Sequence, residues 1–272
     1  MPTFRAPSPR VALSVASAAV LMMSCNSDNP AGPTPPDGRT LYGVTLDNRL
    51  LRFNSALPGT ILTEVPVTGM PSGQRLVSID IRPADGEIYG VGTDNRVYRV
   101  HKVTGVATAV GEVFSPSLDG EHFGLAITSG DDRIRTSSVE GDQNLLLNPA
   151  DGSLIGVGGS FAFAAGDANA GTNIGMAALA NMGSTLYGIE SNVNVLVLVT
   201  DPAAGTVTTI GSLGVNTVPC AAFDIDPSDS VAFASLALNG ISTLYTVNLT
   251  TGAATPLGVI DIDSEVQGLA IE

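Results

Sequence analysis

The chain has 272 residues, 44% hydrophobic and only 14% charged, with 12 Lys and Arg against 26 Asp and Glu and a net charge of −14. That much apolar material can core one large or two small domains. The acidity excludes the clustered basic surface that nucleic-acid binding needs.

Arg5 and Arg10 precede an apolar run from Val11 to Met23. A charged start followed by an apolar stretch of about 7–15 residues is the pattern of an export signal. It is too short for a spanning helix, which needs about 20 apolar residues. Leu21-Met22-Met23-Ser24-Cys25 resembles the lipobox of bacterial lipoproteins, with Met22 standing where Leu is usual. The resemblance implies cleavage before Cys25 and acylation of Cys25. An ordinary cleaved signal with an incidental cysteine is the alternative. Several acyl chains together anchor a protein stably. Loss of residues 1–24 would leave 10 basic against 26 acidic residues, a charge of −16. Asn26 to Gly38 reads NSDNPAGPTPPDG and is expected to be a semi-extended tether. The expected organisation is a signal over 1–24, the lipidated cysteine and tether over 25–38, and a repeat domain over 39–272. The expected place is the bacterial cell envelope, on the outer membrane or cell surface, or the periplasm or exterior if no lipid is attached.

From Leu41 the chain repeats itself. Leu41-Tyr-Gly-Val-Thr-Leu-Asp-Asn-Arg-Leu-Leu-Arg-Phe53 is nearly the same motif as Ile88-Tyr-Gly-Val-Gly-Thr-Asp-Asn-Arg-Val-Tyr-Arg-Val100. Looser copies run from Arg133 to Leu147, from Leu186 to Val199 and from Val231 to Val247. A turn follows each later copy, as in Lys102-Val-Thr-Gly105 and Asp201-Pro-Ala-Ala-Gly205, and leads into a short strand. A strand also precedes each later copy: Val77–Ile81, Phe123–Ile127, Ile174–Leu179 and Ala221–Ile225. The unit is therefore four short strands, A to D, which repeated about an axis make a β-propeller. The first copy lacks its A strand, and Gln267-Gly-Leu-Ala-Ile271 supplies one at the other end of the chain. The expected fold is all-β, a propeller of five four-stranded blades closed by the C-terminal strand completing the first blade. An open β-solenoid or a sandwich is the alternative.

In such a ring the A–B and C–D turns share one face, and the B–C turns and D–A connections share the other. The second face holds the long polar segments 68–74, 112–121, 158–173 and 211–219. Long loops on a rigid scaffold are where binding concentrates, so a site is expected there. Asp47, Asn48, Arg49, Asp94, Asn95 and Arg96 fall on that face as candidate binding residues, with plain hairpin chemistry as the alternative. Asp80 and Asp224 share a position in the innermost strand, with Ala126, Ala177 and Ala270 as counterparts. Asp226 lies two residues beyond, where the second blade has Arg82. Such channel carboxylates could act as an acid–base pair or hold Ca²⁺. They could equally accept backbone hydrogen bonds from the neighbouring blade or pair with Arg82. No calcium-loop motif supports the cation and no cofactor is expected.

His101 and His122 have no second ligand at metal spacing, and no nucleophile-elbow, zinc-protease or phosphate-loop motif occurs. Cys220 lies in an apolar stretch and reads as a small hydrophobe. LYGVTLDNRLLRFN together with GQRLVSIDIRPADGEIYGVGTDNRVYRV resembles an uncharacterised bacterial family, domain-of-unknown-function family 4394. The resemblance spans residues 39–272, strongest in the first two repeats. It implies a secreted propeller-like domain and brings no activity with it. The third repeat departs most, with Arg133-Ile-Arg135 where others have Tyr-Gly. The expected role is a monomeric, lipid-anchored binding or scaffold module for a protein or small molecule. The alternatives are a hydrolase or lyase using the channel carboxylates, and a structural envelope protein.

Overall fold

Short strands alternate with turns that only a few residue types can make, and this builds the molecule blade by blade. The computed structural model describes residues 1–3 and 38–272, so Cys25, the expected signal beyond its first three residues and the tether before Gly38 lie outside the described residues. The repeat lies within the unit Pro35–Glu272. Blade 1 opens with β1 (Thr40–Thr45), β2 (Arg49–Asn54) and β3 (Leu57–Pro66). Blade 2 is β4 (Leu76–Ile81), β5 (Ile88–Gly92), β6 (Val97–Val100) and β7 (Ala107–Val110). Blade 3 is β8 (Phe123–Thr128), β9 (Arg133–Ser138), β10 (Asn144–Leu147) and β11 (Leu154–Val157). Blade 4 has β12 (Ala162–Phe163), β13 (Met176–Met182), β14 (Thr185–Glu190), β15 (Val195–Asp201) and β16 (Thr206–Ser212). Blade 5 is β17 (Ala221–Ile225), β18 (Ala232–Leu238), β19 (Ile241–Val247) and β20 (Ala254–Val259), and β21 (Val266–Ile271) returns to blade 1.

The result is a five-bladed, all-β propeller. Blade 1 has the order β21-β1-β2-β3, with Leu41 opposite Ile271 and Gly43 opposite Leu269, so the last strand closes the ring. Closure removes an open edge that would otherwise pair with other chains. Inner strands are buried throughout, as in Phe123–Ile127 and Ala221–Ile225, and read as nearly unbroken apolar runs. Outer strands are half exposed, as in Leu154–Val157, and alternate.

The core is five apolar layers, one between each adjacent pair of blades. Val44 and Leu50 of blade 1 meet Ile79 and Tyr98 of blade 2. Leu41 and Phe53 meet Phe233 and Leu244 across the seam between blades 1 and 5. Each fully buried aliphatic or aromatic contributes roughly 1.5–3 kcal/mol, so the ring is held mainly by these layers.

Two details differ from the expectation. Residues 158–173 are not all loop: β12 pairs in parallel with β16 as a fifth strand of blade 4, and Phe161 and Phe163 are buried beside it. Two phenylalanines gain more from the layer against Val207 than from an exposed loop. The inner strand of blade 4 also runs further than expected, to Met182, with a register shift between Met176 and Ala178. That places Ala180 opposite Tyr187, as Asp80 is opposite Tyr89, so Ala180 rather than Ala177 is the counterpart of Asp80.

Candidate functional site

The inner strands have no strand on their axial side. Every second N–H there points away from the ladder and must find another acceptor. Asp80 supplies two: one carboxylate oxygen accepts its own Ile81 N–H at 2.6 Å, and the other accepts Ile127 N–H of blade 3 at 2.7 Å. Asp224 repeats the device, accepting Ile225 N–H at 2.8 Å and Ile271 N–H of blade 1 at 2.8 Å. Two carboxylates thus satisfy four inner-edge donors and link blade 2 to blade 3 and blade 5 to blade 1.

Both side chains line a cavity of about 170 Å³ at the mouth of the central channel, walled by Ile81, Ile127, Ile225 and Ile271. Burial pushes the Asp80 carboxyl well above its usual range, and the nearby Asp224 adds to the shift. Burial likewise raises Asp224, to about 7, against the opposing pull of its two backbone donors. The hydrogen bonds favour the anion and burial favours the acid, and burial prevails at both.

Asp226 does not join this pair. It binds Arg39 at 2.6 Å and accepts the Ser228 N–H at 2.8 Å. Burial works to raise its pKa, but the Ser228 and Arg39 contacts hold it below the usual value. Arg82 does not reach Asp80 either: it pairs with Asp132 at 2.5 Å and Asp85 at 3.0 Å.

The cavity opens where the inner strands end, at the A–B turns. The long-loop face, where a site was expected, is the opposite one, because positions 80 and 224 lie late in strands that run toward the A–B turns. The six candidate residues on the long-loop face are engaged in turn construction. Asn48 and Asn95 adopt φ of 62° and 61°. Their side-chain oxygens accept Leu76 N–H at 3.0 Å and Leu118 N–H at 2.7 Å. Arg49 pairs with Asp47 at 2.7 Å and also with Glu64. Asp94 accepts the Tyr98 hydroxyl at 2.7 Å, and Arg96 donates to the Gly111 carbonyl at 3.0 Å.

Two polar residues stand at the A–B face: Arg135, which the sequence marks only as a departure of the third repeat and not as a site, and Asn181, which it does not mark. Asn181 occupies the position that is Ile81, Ile127, Ile225 and Ile271 in the other blades. Both its amide atoms are buried without a partner. Arg135 occupies the position that is Tyr42, Tyr89, Tyr187 and Phe233 elsewhere. The available signal was departure from the repeat, which needs the correct register to read. Cys220 is buried with a free thiol, and burial pushes its pKa up. Among the described residues no group of three or more His, Cys, Asp or Glu could hold a metal ion, and no helix is long and apolar enough to cross a membrane.

Residues 49–270 match the model of the family described as "Domain of unknown function (DUF4394)", and the chain belongs to that family. No curated protein matches it. Among solved structures it is similar to a structural-genomics protein of unknown function from Bacteroides thetaiotaomicron, at 15% identity and a TM-score of 0.51, over 85% of this chain and 61% of that one. It is also similar to the hydrazine synthase of Kuenenia stuttgartiensis, at 15% identity and a TM-score of 0.43, over 71% of this chain and 50% of that one. A third is the dihydro-heme d1 dehydrogenase NirN, at 14% identity and a TM-score of 0.41, over 86% and 46%. The chain thus spans about half to three-fifths of the length of these proteins. At such identities the first likeness speaks to fold alone.

Proposed function

We propose that the chain is a non-enzymatic binding or scaffold module, displayed from the bacterial cell envelope by a lipid on Cys25. The observation that carries this reading is the use made of the channel carboxylates. Both oxygens of Asp80 and of Asp224 accept backbone N–H groups of two blades, and the cavity beside them is lined by four isoleucines, with Ser129 and Asn181 as its other polar side chains. They act as fasteners of the ring. The partner is a protein or a small molecule, met by a monomer.

Two experiments test the two halves of the proposal. The full chain, incubated between pH 5 and 8 with a broad panel of glycoside, ester and uronide substrates, is expected to turn none over. Turnover that disappears in Asp224→Asn would overturn the non-enzymatic reading. The specific observation favouring that rival is the Asp224 carboxyl titrating near 7, where a general acid or base is effective. For the anchor, Cys25→Ser is expected to abolish incorporation of labelled fatty acid and move the protein from the detergent to the aqueous phase. Unchanged partition would remove the anchor from the account.

A further inference from the structure

In a ring of five similar blades, a polar residue at a position where the other copies are apolar or aromatic has escaped the packing rule of the repeat. Arg135 in blade 3 and Asn181 in blade 4 are two such residues, far apart in sequence. They line the same cleft on the A–B face, about 330 Å³ in volume, with Leu146, Leu186 and Pro202 on its apolar side. That volume falls at the lower end of ligand pockets, roughly 300–1,000 Å³.

The guanidinium of Arg135 is held from one side only. Its Nη1 donates to Asn144 Oδ1 at 2.5 Å and to the Pro202 carbonyl at 3.0 Å. Asn144 is itself fixed, donating to the carbonyls of Gly159 at 3.0 Å and Pro202 at 2.9 Å. No described protein group accepts from Nε or Nη2, and neither is sealed from solvent. The Nε–Nη2 edge is the pair of parallel donors that matches a carboxylate in the two-bonded manner. Burial lowers the pKa of this guanidinium from its usual value, and the charge of nearby Asp131, which makes no hydrogen bond to it, offsets this only in part. Asn181 stands in the wall between this cleft and the channel mouth, its amide buried and unpartnered. An orphaned buried amide is unfavourable until something satisfies it. Asp131, engaged by the Thr128 hydroxyl, also lines the cleft; it opposes any anion there, a single charge paired with Arg135 less than a second, unpaired one.

From this we infer that the cleft between blades 3 and 4 binds a small organic monocarboxylate, its carboxylate on the Nε–Nη2 edge of Arg135 and its short apolar tail against Leu146, Leu186 and Pro202. Asn181 turns its amide to a polar atom of the bound ligand. This deepens the binding-module reading and rests on it.

The test is titration of the full chain with straight-chain acids from acetate to hexanoate, followed by calorimetry and by NMR of the ligand. Butyramide serves as the uncharged control and succinate as the doubly charged one. Saturable binding of at least one monocarboxylate is expected, with butyramide and succinate weaker by about tenfold or more. Arg135→Tyr, which restores the residue of three other blades, is expected to abolish it while the protein stays folded. Arg135→Lys, which keeps the charge and loses the fork, is expected to weaken it by about tenfold. No saturable binding across the acid series, or binding unchanged in Arg135→Lys, overturns the site. Should Arg135→Tyr fail to fold, the lysine variant decides. Conversion of the bound acid into another compound would sink the non-enzymatic reading while leaving the site in place.

Discussion

Asp80 and Asp224 show how one residue type can serve as a joint between blades. Replacing either by Asn substitutes an amide nitrogen for one acceptor and turns it toward a backbone N–H. A loss of about 1–3 kcal/mol is expected for each near pH 4, where the wild-type carboxyls contribute in full, read as a lower midpoint in urea unfolding. The same carboxyls set the pH dependence. The folded Asp224 titrates near 7 against an ordinary value of 3.8, so between those values the folded state holds a proton that the unfolded state has lost. Stability contributed by this group is therefore full below about pH 4 and falls as pH rises to about 7. Wild type is expected to lose on the order of 2–4 kcal/mol more than Asp224→Asn across that window. Parallel slopes of stability against pH for the two proteins would contradict it. Close approach of backbones sets a third constraint. A Cβ on Gly124 would stand 2.9 Å from backbone atoms of Ala178 in the next blade. Gly124→Ala must part blades 3 and 4 and is expected to cost about 1–3 kcal/mol, measured by thermal unfolding.

At the scale of the element, the B–C hairpins repeat one construction. Asn48, Asn95 and Asn194 occupy the left-handed region, and each side-chain oxygen accepts a backbone N–H from the segment leading into the next blade: Leu76, Leu118 and Thr217. Conformation and hydrogen bond are separable here. Asn95→Gly keeps the backbone geometry and loses only the bond, whereas Asn95→Ala loses both. The alanine variant is expected to be less stable than the glycine variant by about 1 kcal/mol, and equal midpoints for the two would argue against the turn account. The hairpins were legible in the sequence because Asp-Asn-Arg recurs at the same place in two copies. β12 was not, since a two-residue strand amid glycines has too little periodicity to register. The limits of β13 were hidden because Ala-Ala-Leu-Ala offers several equivalent registers, and only pairing with Tyr187 chooses one.

At the scale of the whole molecule, closure is the decisive event. β21 brings Val266, Leu269 and Ile271 into the layer between blades 5 and 1, and Ile271 N–H onto Asp224. Removing residues 266–272 strips this layer and bares the edge of β1. Three buried aliphatics at roughly 1.5–3 kcal/mol each rival the whole stability of an ordinary domain, about 5–15 kcal/mol. The truncated chain is expected to be unfolded or aggregated by circular dichroism and size exclusion. A monomeric, folded product would show that the ring does not depend on its last strand.

The sequence by itself determined the four-stranded repeat unit, the number of blades and the closing strand, because these rest on local alternation, turn chemistry and self-similarity along the chain, whereas β12 and the limits of β13 came only with the structure. It also brought Asp80 and Asp224 to one position of the inner strand. Only the tertiary structure decided what those carboxylates do, which face the cavity opens on, and that Arg135 and Asn181 share a cleft. Hydrogen bonding between blades and the meeting of residues from different blades depend on packing around the axis, which no local pattern encodes.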